Sequence, residues 1–227
     1  MKKIILACCI VANIAFISSC KKTTTTTETP GPTSVTDIDG NVYNVIKIGT
    51  QYWTTENLRT TKYNDGTTIP TGLNNTDWAA LTTGSYAIYN DDPINNTMYG
   101  KLYNWHAVNT GKLAPAGWHV PSSTEWDVLI NYLGGGTVAG GKMKSTSSLW
   151  NTPNTGADNS SGFNGLPAGY RGTTGGYSTL GNTGYFWHSD ERNSTQGNYI
   201  NLQKNYASTF SNGATKTFGY AVRLVKD

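Results

Sequence analysis

The sequence predicts an α+β domain of short strands, one or two helices and long ordered loops. Three observations carry that expectation. Glycine occurs 26 times in 227 residues and aromatics make up 11% of the chain, so turns are frequent and large rings supply much of the apolar area. Only the segment opening at Ser122 combines a helix start signal with a helical apolar period. The β-prone runs are short and bounded by Gly, Asn and Asp.

The first residues read as an address. Lys2 and Lys3 precede an apolar run from Ile4 to Ile17, broken only by Asn13. That length suits a signal-peptide core and falls short of the roughly 20 residues that span a bilayer. The run ends Ser18-Ser19-Cys20, which resembles the bacterial lipobox, where cleavage before the cysteine leaves a thiol for acylation. Residues 1–19 are therefore expected to be a lipoprotein signal peptide, with Cys20 the lipidated residue. Several acyl chains on one residue hold a membrane firmly, at about 0.8 kcal/mol per buried methylene. Lys21 after the cysteine, in place of Asp, matches outer-membrane sorting in Gram-negative lipoproteins.

Residues 20–34 read as a tether: Thr23 to Thr27, Glu28 and Pro30-Gly31-Pro32 offer no apolar face to bury. Residues 35–227 then form a single domain. Its thiol content is nil, because Cys8, Cys9 and Cys20 are the three cysteines. Cysteine nucleophiles, thiolate metal sites and a disulfide scaffold are excluded there. Setting aside Lys2, Lys3, Lys21, Lys22 and Glu28 leaves 13 basic and 13 acidic residues. A balanced domain has no field to gather polynucleotides, so nucleic acid is not an expected partner.

Within the domain, Asp39-Gly40-Asn41 is a turn signal, and Val42 to Ile48 is β-prone. Gly49-Thr50 turns the chain, and Gln51 to Thr54 returns beside it. Leu102 to Val108 reads as a short second helix. Ser122 and Glu125 stand at capping-box spacing, and Trp126, Leu129, Ile130 and Leu133 make one apolar stripe. Gly134 suits a left-handed helix end. Beyond Ala139 the chain is punctuated by glycine, with Tyr185–Ser189 and Ala221–Val225 as central strands.

The chemistry-bearing residues form no recognisable catalytic set. Carboxylates that could pair for glycoside hydrolysis are Asp91, Asp92, Glu125, Asp127, Asp190 and Glu191, but Glu125 is claimed by the capping box. Ser122 is explained as a helix cap. His106, His119 and His188 are too scattered for a zinc site and read as core or supporting hydrogen-bonding groups. No cofactor is called for. A structural calcium is the one ion the loops suit, with Asp91, Asp92 and Asp158 as oxygen donors. Trp78, Tyr89, Trp150 and Tyr177 lie in polar, glycine-rich surroundings, where rings either anchor loops, the favoured role for any single one, or, if exposed, stack on a sugar or grip a peptide. Arg171 and Arg223 are expected to hold loops through carbonyls or a carboxylate such as Asp127 or Asp158.

Seven strings in order then resemble one family: Gly49 to Trp53 with Glu56-Asn57-Leu58; Gly100 to Trp105; Gly117 to Pro121 with Glu125-Trp126; Gly162-Phe163; Leu166 to Arg171; Phe186 to Ser189; and Gly219 to Arg223. They resemble the Fibrobacter succinogenes major paralogous domain, common in lipoproteins and secreted proteins of Bacteroidetes and Fibrobacteres. That family is in turn similar to the formylglycine-generating enzyme and C-type lectin-like fold, through Pro121…Glu125-Trp126 and Gly219…Arg223. The resemblance implies that architecture without the enzyme's catalysis, because its cysteine pair has no counterpart after Cys20, and fold analogy alone does not assign a function. The expectation is a lipid-anchored envelope protein, not an enzyme, with a binding or structural domain. Its partners would be the membrane, through acyl chains on Cys20, and a glycan or envelope protein. The alternatives are a calcium-assisted, lectin-like sugar-binding module and a glycan-active enzyme.

Overall fold

Turn chemistry starts the fold. The computed structural model describes residues 30–227; the leader, Cys20 and most of the tether lie outside them. The Asp37 carboxylate accepts from the backbone N–H of Asp39 and Asn41 and from the Tyr43 hydroxyl, at 2.6 Å for the last. That closes the turn between β1 (Ser34–Thr36) and β2 (Val42–Ile48). Gly49, at φ 61°, then reverses the chain into β3 (Gln51–Thr54).

The middle of the chain is a series of small pieces: α1 (Asn75–Ala79), β4 (Tyr86–Ala87), α2 (Pro93–Tyr99), β5 (Leu102–Asn104), α3 (Trp105–Val108) and β6 (Trp118–His119). Two helices come next, α4 (Ser123–Tyr132) and α5 (Gly136–Met143), and then β7 (Tyr170–Arg171) and β8 (Tyr177–Ser178). A long meander ends the domain: β9 (Thr183–Asn193), β10 (Gln196–Gln203) and β11 (Thr209–Thr215), with β12 (Gly219–Tyr220) and β13 (Val225–Lys226) after it.

The strands assemble into three sheets, ordered β1-β2-β3-β13-β6, β11-β10-β9 and β4-β5-β12-β7-β8. This corrects the expected α+β, C-type lectin-like class: the described residues are mostly β, and their α-helices run from four to ten residues. The physical reason is the distribution of apolar residues. Only α4 carries a helical stripe, while Gly134, Gly135, Gly136, Gly140 and Gly141 interrupt the stretch after it. Burial is achieved instead by rings on strands. Phe186 and Trp187 are adjacent on β9 and point to opposite faces, one into each of two hydrophobic clusters. The first cluster holds Trp53, Trp126 and Phe163; the second holds Tyr103, Trp105 and Tyr220.

The expected helix over 102–108 is a strand running into a single turn. Leu102, Tyr103 and Asn104 are all buried, which a two-sided strand allows, and Asn104 then caps α3 by accepting from the Ala107 N–H. Strands β2 and β3 pair as anticipated, with Ile46 opposite Trp53. The expected 221–225 strand forms only at β13, which pairs Val225 with both Trp53 and His119 and so inserts between β3 and β6.

Helix α4 fits its sequence signals closely. Ser122 accepts from the Glu125 N–H while Glu125 accepts from the Ser122 N–H, completing the capping box. Gly134 takes φ 101° just after the helix. Trp126 is 1% exposed, with ring centroids 4.8 Å from Trp53, 5.7 Å from Phe163 and 6.0 Å from Phe186. Replacing Trp126 with Ala should cost about 3–5 kcal/mol in a denaturant melt. A variant that melts like the parent would show that this aromatic cluster is not the core.

Candidate functional site

Arg171 gathers several of the residues singled out in the sequence. It ends β7, donating from Nε to the Gly175 carbonyl at 2.9 Å and from Nη2 to the Leu73 carbonyl at 2.7 Å. Its guanidinium lies 4.4 Å from the Trp78 ring centroid and 5.1 Å from that of Tyr177. Tyr177 donates its hydroxyl to Asp91 at 2.8 Å and stands 5.2 Å from Tyr89. The structure therefore brings Trp78, Tyr89, Tyr177 and Asp91 around one cation. Trp78 is fully buried and Tyr89 nearly so, which fits the loop-anchor role that the sequence favoured for single rings.

Trp150 lies apart and is also buried, donating to the Gly165 carbonyl at 3.0 Å. Over its ring sits the Lys144 ammonium, which donates to the carbonyls of Thr155, Gln203 and Tyr206. Burial lowers the Lys144 pKa to about 8. Asp127 and Asp158 do not bond to Arg171 or Arg223; both arginines are held by neutral oxygens.

The three calcium candidates are engaged separately, Asp91 by the Tyr177 hydroxyl and the other two in local turns. Asp92 caps α2 by accepting from the Ile94 N–H, and Asp158 accepts from the Ser160 N–H. Among the described residues, no group of three His, Cys, Asp or Glu side chains is placed to hold a metal ion.

A second polar cluster surrounds the start of α4. His119 bonds through Nδ1 to Asp227 at 2.6 Å and through Nε2 to Glu125 at 2.7 Å. Both ring nitrogens face carboxylates, so the bridging ring is the imidazolium. Burial pulls its pKa down, but the bonds to Asp227 and Glu125 outweigh burial, and the pKa lies above the ordinary value.

One turn away, Ser123 donates its hydroxyl and its backbone N–H to Asp190, each at 2.5 Å, and lies 2.8 Å from His188 Nδ1. Burial raises the Asp190 pKa, yet the bonds from Ser123 and Asn198 keep it below the usual range. With the Ser123 O–H directed at that carboxylate, His188 donates from Nδ1 to Ser123 Oγ, leaving Nε2 bare and buried without a partner among the described residues. Burial also holds His188 neutral, with a pKa of about 4. An imidazole so placed does not accept the serine proton, so the Ser-His-Asp grouping ties α4 to β9 and is not an activated nucleophile.

A groove of about 390 Å³ opens at the other end of α4, between β2 and the 158–162 loop. Tyr132, 65% exposed, stands over it. Sequence reading passed over Tyr132 because it lies opposite the apolar stripe of α4. The available signal was Val128 and Tyr132, apolar residues one turn apart on a face that the core does not use.

The His119 bridge has a definite pH signature. A raised folded-state pKa contributes stability that is complete below the ordinary histidine value and disappears as pH rises through the folded value. His119→Gln should therefore lower the melting temperature at about pH 5.5 and matter much less at about pH 8.5. A difference between the two proteins that is constant with pH would rule out the imidazolium bridge.

The domain carrying these features can be placed among known proteins. No curated protein and no solved structure matches the chain. A family model described as the Fibrobacter succinogenes major domain does match, over residues 46–226, which is most of the chain and includes Arg171, His119, His188 and Arg223. The chain belongs to the Fibrobacter succinogenes major domain family.

Proposed function

We propose that this is an outer-membrane lipoprotein, anchored through acyl chains on Cys20, whose β domain binds a partner without transforming it. The observation that supports the binding role is the engagement of the reactive side chains. Ser123, Asp190 and His188 bond to one another, and Glu125 is shared between the helix cap and His119. Ser123, Asp190, Glu125 and His119 are each fixed by bonds to neighbours, and His188 is buried and held neutral with its Nε2 facing no proton donor or acceptor among the described residues. The anchor rests on the basic start, the short apolar run, the Ser18-Ser19-Cys20 string and the threonine-rich tether, which together keep the domain at a membrane with freedom to reach.

Replacing Cys20 with Ala should move the protein from the membrane fraction to the soluble fraction and remove label supplied as a radioactive fatty acid. Unchanged fractionation would overturn the anchor. Incubating the purified protein with envelope polysaccharides should release no new reducing ends. Steady release would place the protein among enzymes.

A further inference from the structure

Four places in the chain carry Asn or Asp followed by Gly: Asp39-Gly40, Asp65-Gly66, Asn164-Gly165 and Asn212-Gly213. Glycine has no side chain to shield its amide nitrogen, so that nitrogen can close a five-membered imide on the side-chain carbonyl carbon before it. Whether it does so depends on where each glycine N–H points.

Three of the four are occupied. Gly40 donates to the Asp37 carbonyl at 3.0 Å, Gly66 to the Tyr63 carbonyl at 2.9 Å and Gly165 to the Met143 carbonyl at 2.7 Å. Each nitrogen is thereby turned to a main-chain oxygen and held there. Asn164 is clamped further. Its N–H donates to the Asn159 side chain at 2.9 Å, its carbonyl accepts from Arg223 at 2.9 Å, and Gly165 beside it is buried.

Asn212-Gly213 is arranged differently. The Gly213 N–H donates to Asn212 Oδ1 at 2.8 Å, so the nitrogen already rests beside the carbonyl whose carbon it would attack. Asn212 is exposed, and among the described residues its carboxamide makes no other bond. Reacting groups held in contact meet far more often than groups that must find each other. The Arg192 side chain lies across Gly213, where a Cβ would come within 2.1 Å of its Cδ and 2.9 Å of its Nε. A cation beside the amide favours loss of its proton, which makes the nitrogen a nucleophile. Strand β11 is also the outer strand of the β11-β10-β9 sheet, so this backbone can turn without breaking a second ladder.

We propose that Asn212 is a self-modifying residue, converted by its own backbone to aspartate and isoaspartate. Hydroxide removes the Gly213 amide proton, the nitrogen bonds to Asn212 Cγ, and the Cγ–Nδ2 bond breaks, releasing ammonia with a proton from water. Water then opens the imide. Cleavage at Cγ gives aspartate, and cleavage at the backbone carbonyl carbon gives isoaspartate, whose main chain carries one extra atom.

The two products differ in consequence. Aspartate adds a charge at an exposed position and leaves the ladder intact. Isoaspartate displaces the residues after it, and Ala214 is buried opposite Gly197, where a Cβ would lie 2.2 Å from the Trp105 ring. With no slack at that point, isoaspartate weakens the pairing of β10 with β11.

The test incubates the full chain, in mild detergent and mildly alkaline buffer, and maps it residue by residue by mass spectrometry over time. Asn212 should gain about 1 Da, the difference between an amide and an acid. It should do so at least about ten-fold faster than Asn164 while the protein is folded. In urea, where neither segment is held, the two rates should converge. The aged protein should accept methyl groups from an isoaspartyl methyltransferase. Asn212→Gln, whose extra methylene takes the carbonyl carbon out of reach of a five-membered ring, should remove the gain at an unchanged initial melting temperature. Equal rates at Asn164 and Asn212 in the folded chain, no gain at Asn212, or methyl acceptance that survives Asn212→Gln would each overturn the proposal.

Discussion

The Arg223 guanidinium is the constraint on which the arrangement of the domain depends. It is completely buried and, among the described residues, bonds to no carboxylate. Instead it donates to the Asn57 amide oxygen and to the carbonyls of Thr54, Phe163 and Asn164, at 2.7–2.9 Å. Those partners belong to the end of β3, the segment after it and a distant loop. Phe163 and Phe186 flank the guanidinium at 4.5 and 5.6 Å. Burial lowers its pKa but leaves it charged at neutral pH. A charge in that position is tolerable only because its donors are matched to oxygens, and each oxygen is thereby fixed in space.

The same device recurs at lower burial or with fewer bonds. Arg171 ties the 172–176 loop to Leu73, Lys144 joins three carbonyls from separate segments, and Lys101 reaches the Arg59 carbonyl and the Asn96 side chain. A domain with few long helices and no disulfide must order its loops by other means. A cation whose donors fan out to several carbonyls does this well, because it satisfies buried backbone oxygens that no sheet or helix reaches. Aromatic faces beside each cation then exclude water and strengthen the bonds.

How much of this was legible in the sequence depended on the range of the interaction. Local signals were readable: the Ser122–Glu125 capping box, the α4 stripe and the β2–β3 turn all rest on spacings of a few residues. The helix expected over 102–108 was misread because Leu102, Tyr103 and Asn104 are buried on both sides, so no period distinguishes strand from helix. The fold class was misjudged because strand pairing is set over long separations, as between β13 and β6, which no local pattern encodes. At the candidate sites, residue type was visible and geometry was not. Trp78 and Trp150 sit among polar residues in sequence yet are buried by segments far along the chain. Tyr132 looked like the end of a helix, and its groove is built by Gly49 and Gly162 from elsewhere.

The carbonyl clasps also bear on where such a domain can work. Ordinary surface ion pairs weaken as dissolved ions accumulate, since mobile counter-charges shield the partners from each other. A guanidinium sealed among backbone dipoles is out of reach of those ions, and its hydrogen bonds among the described residues all go to neutral oxygens. The loops that Arg223 holds therefore keep their place as ionic strength varies.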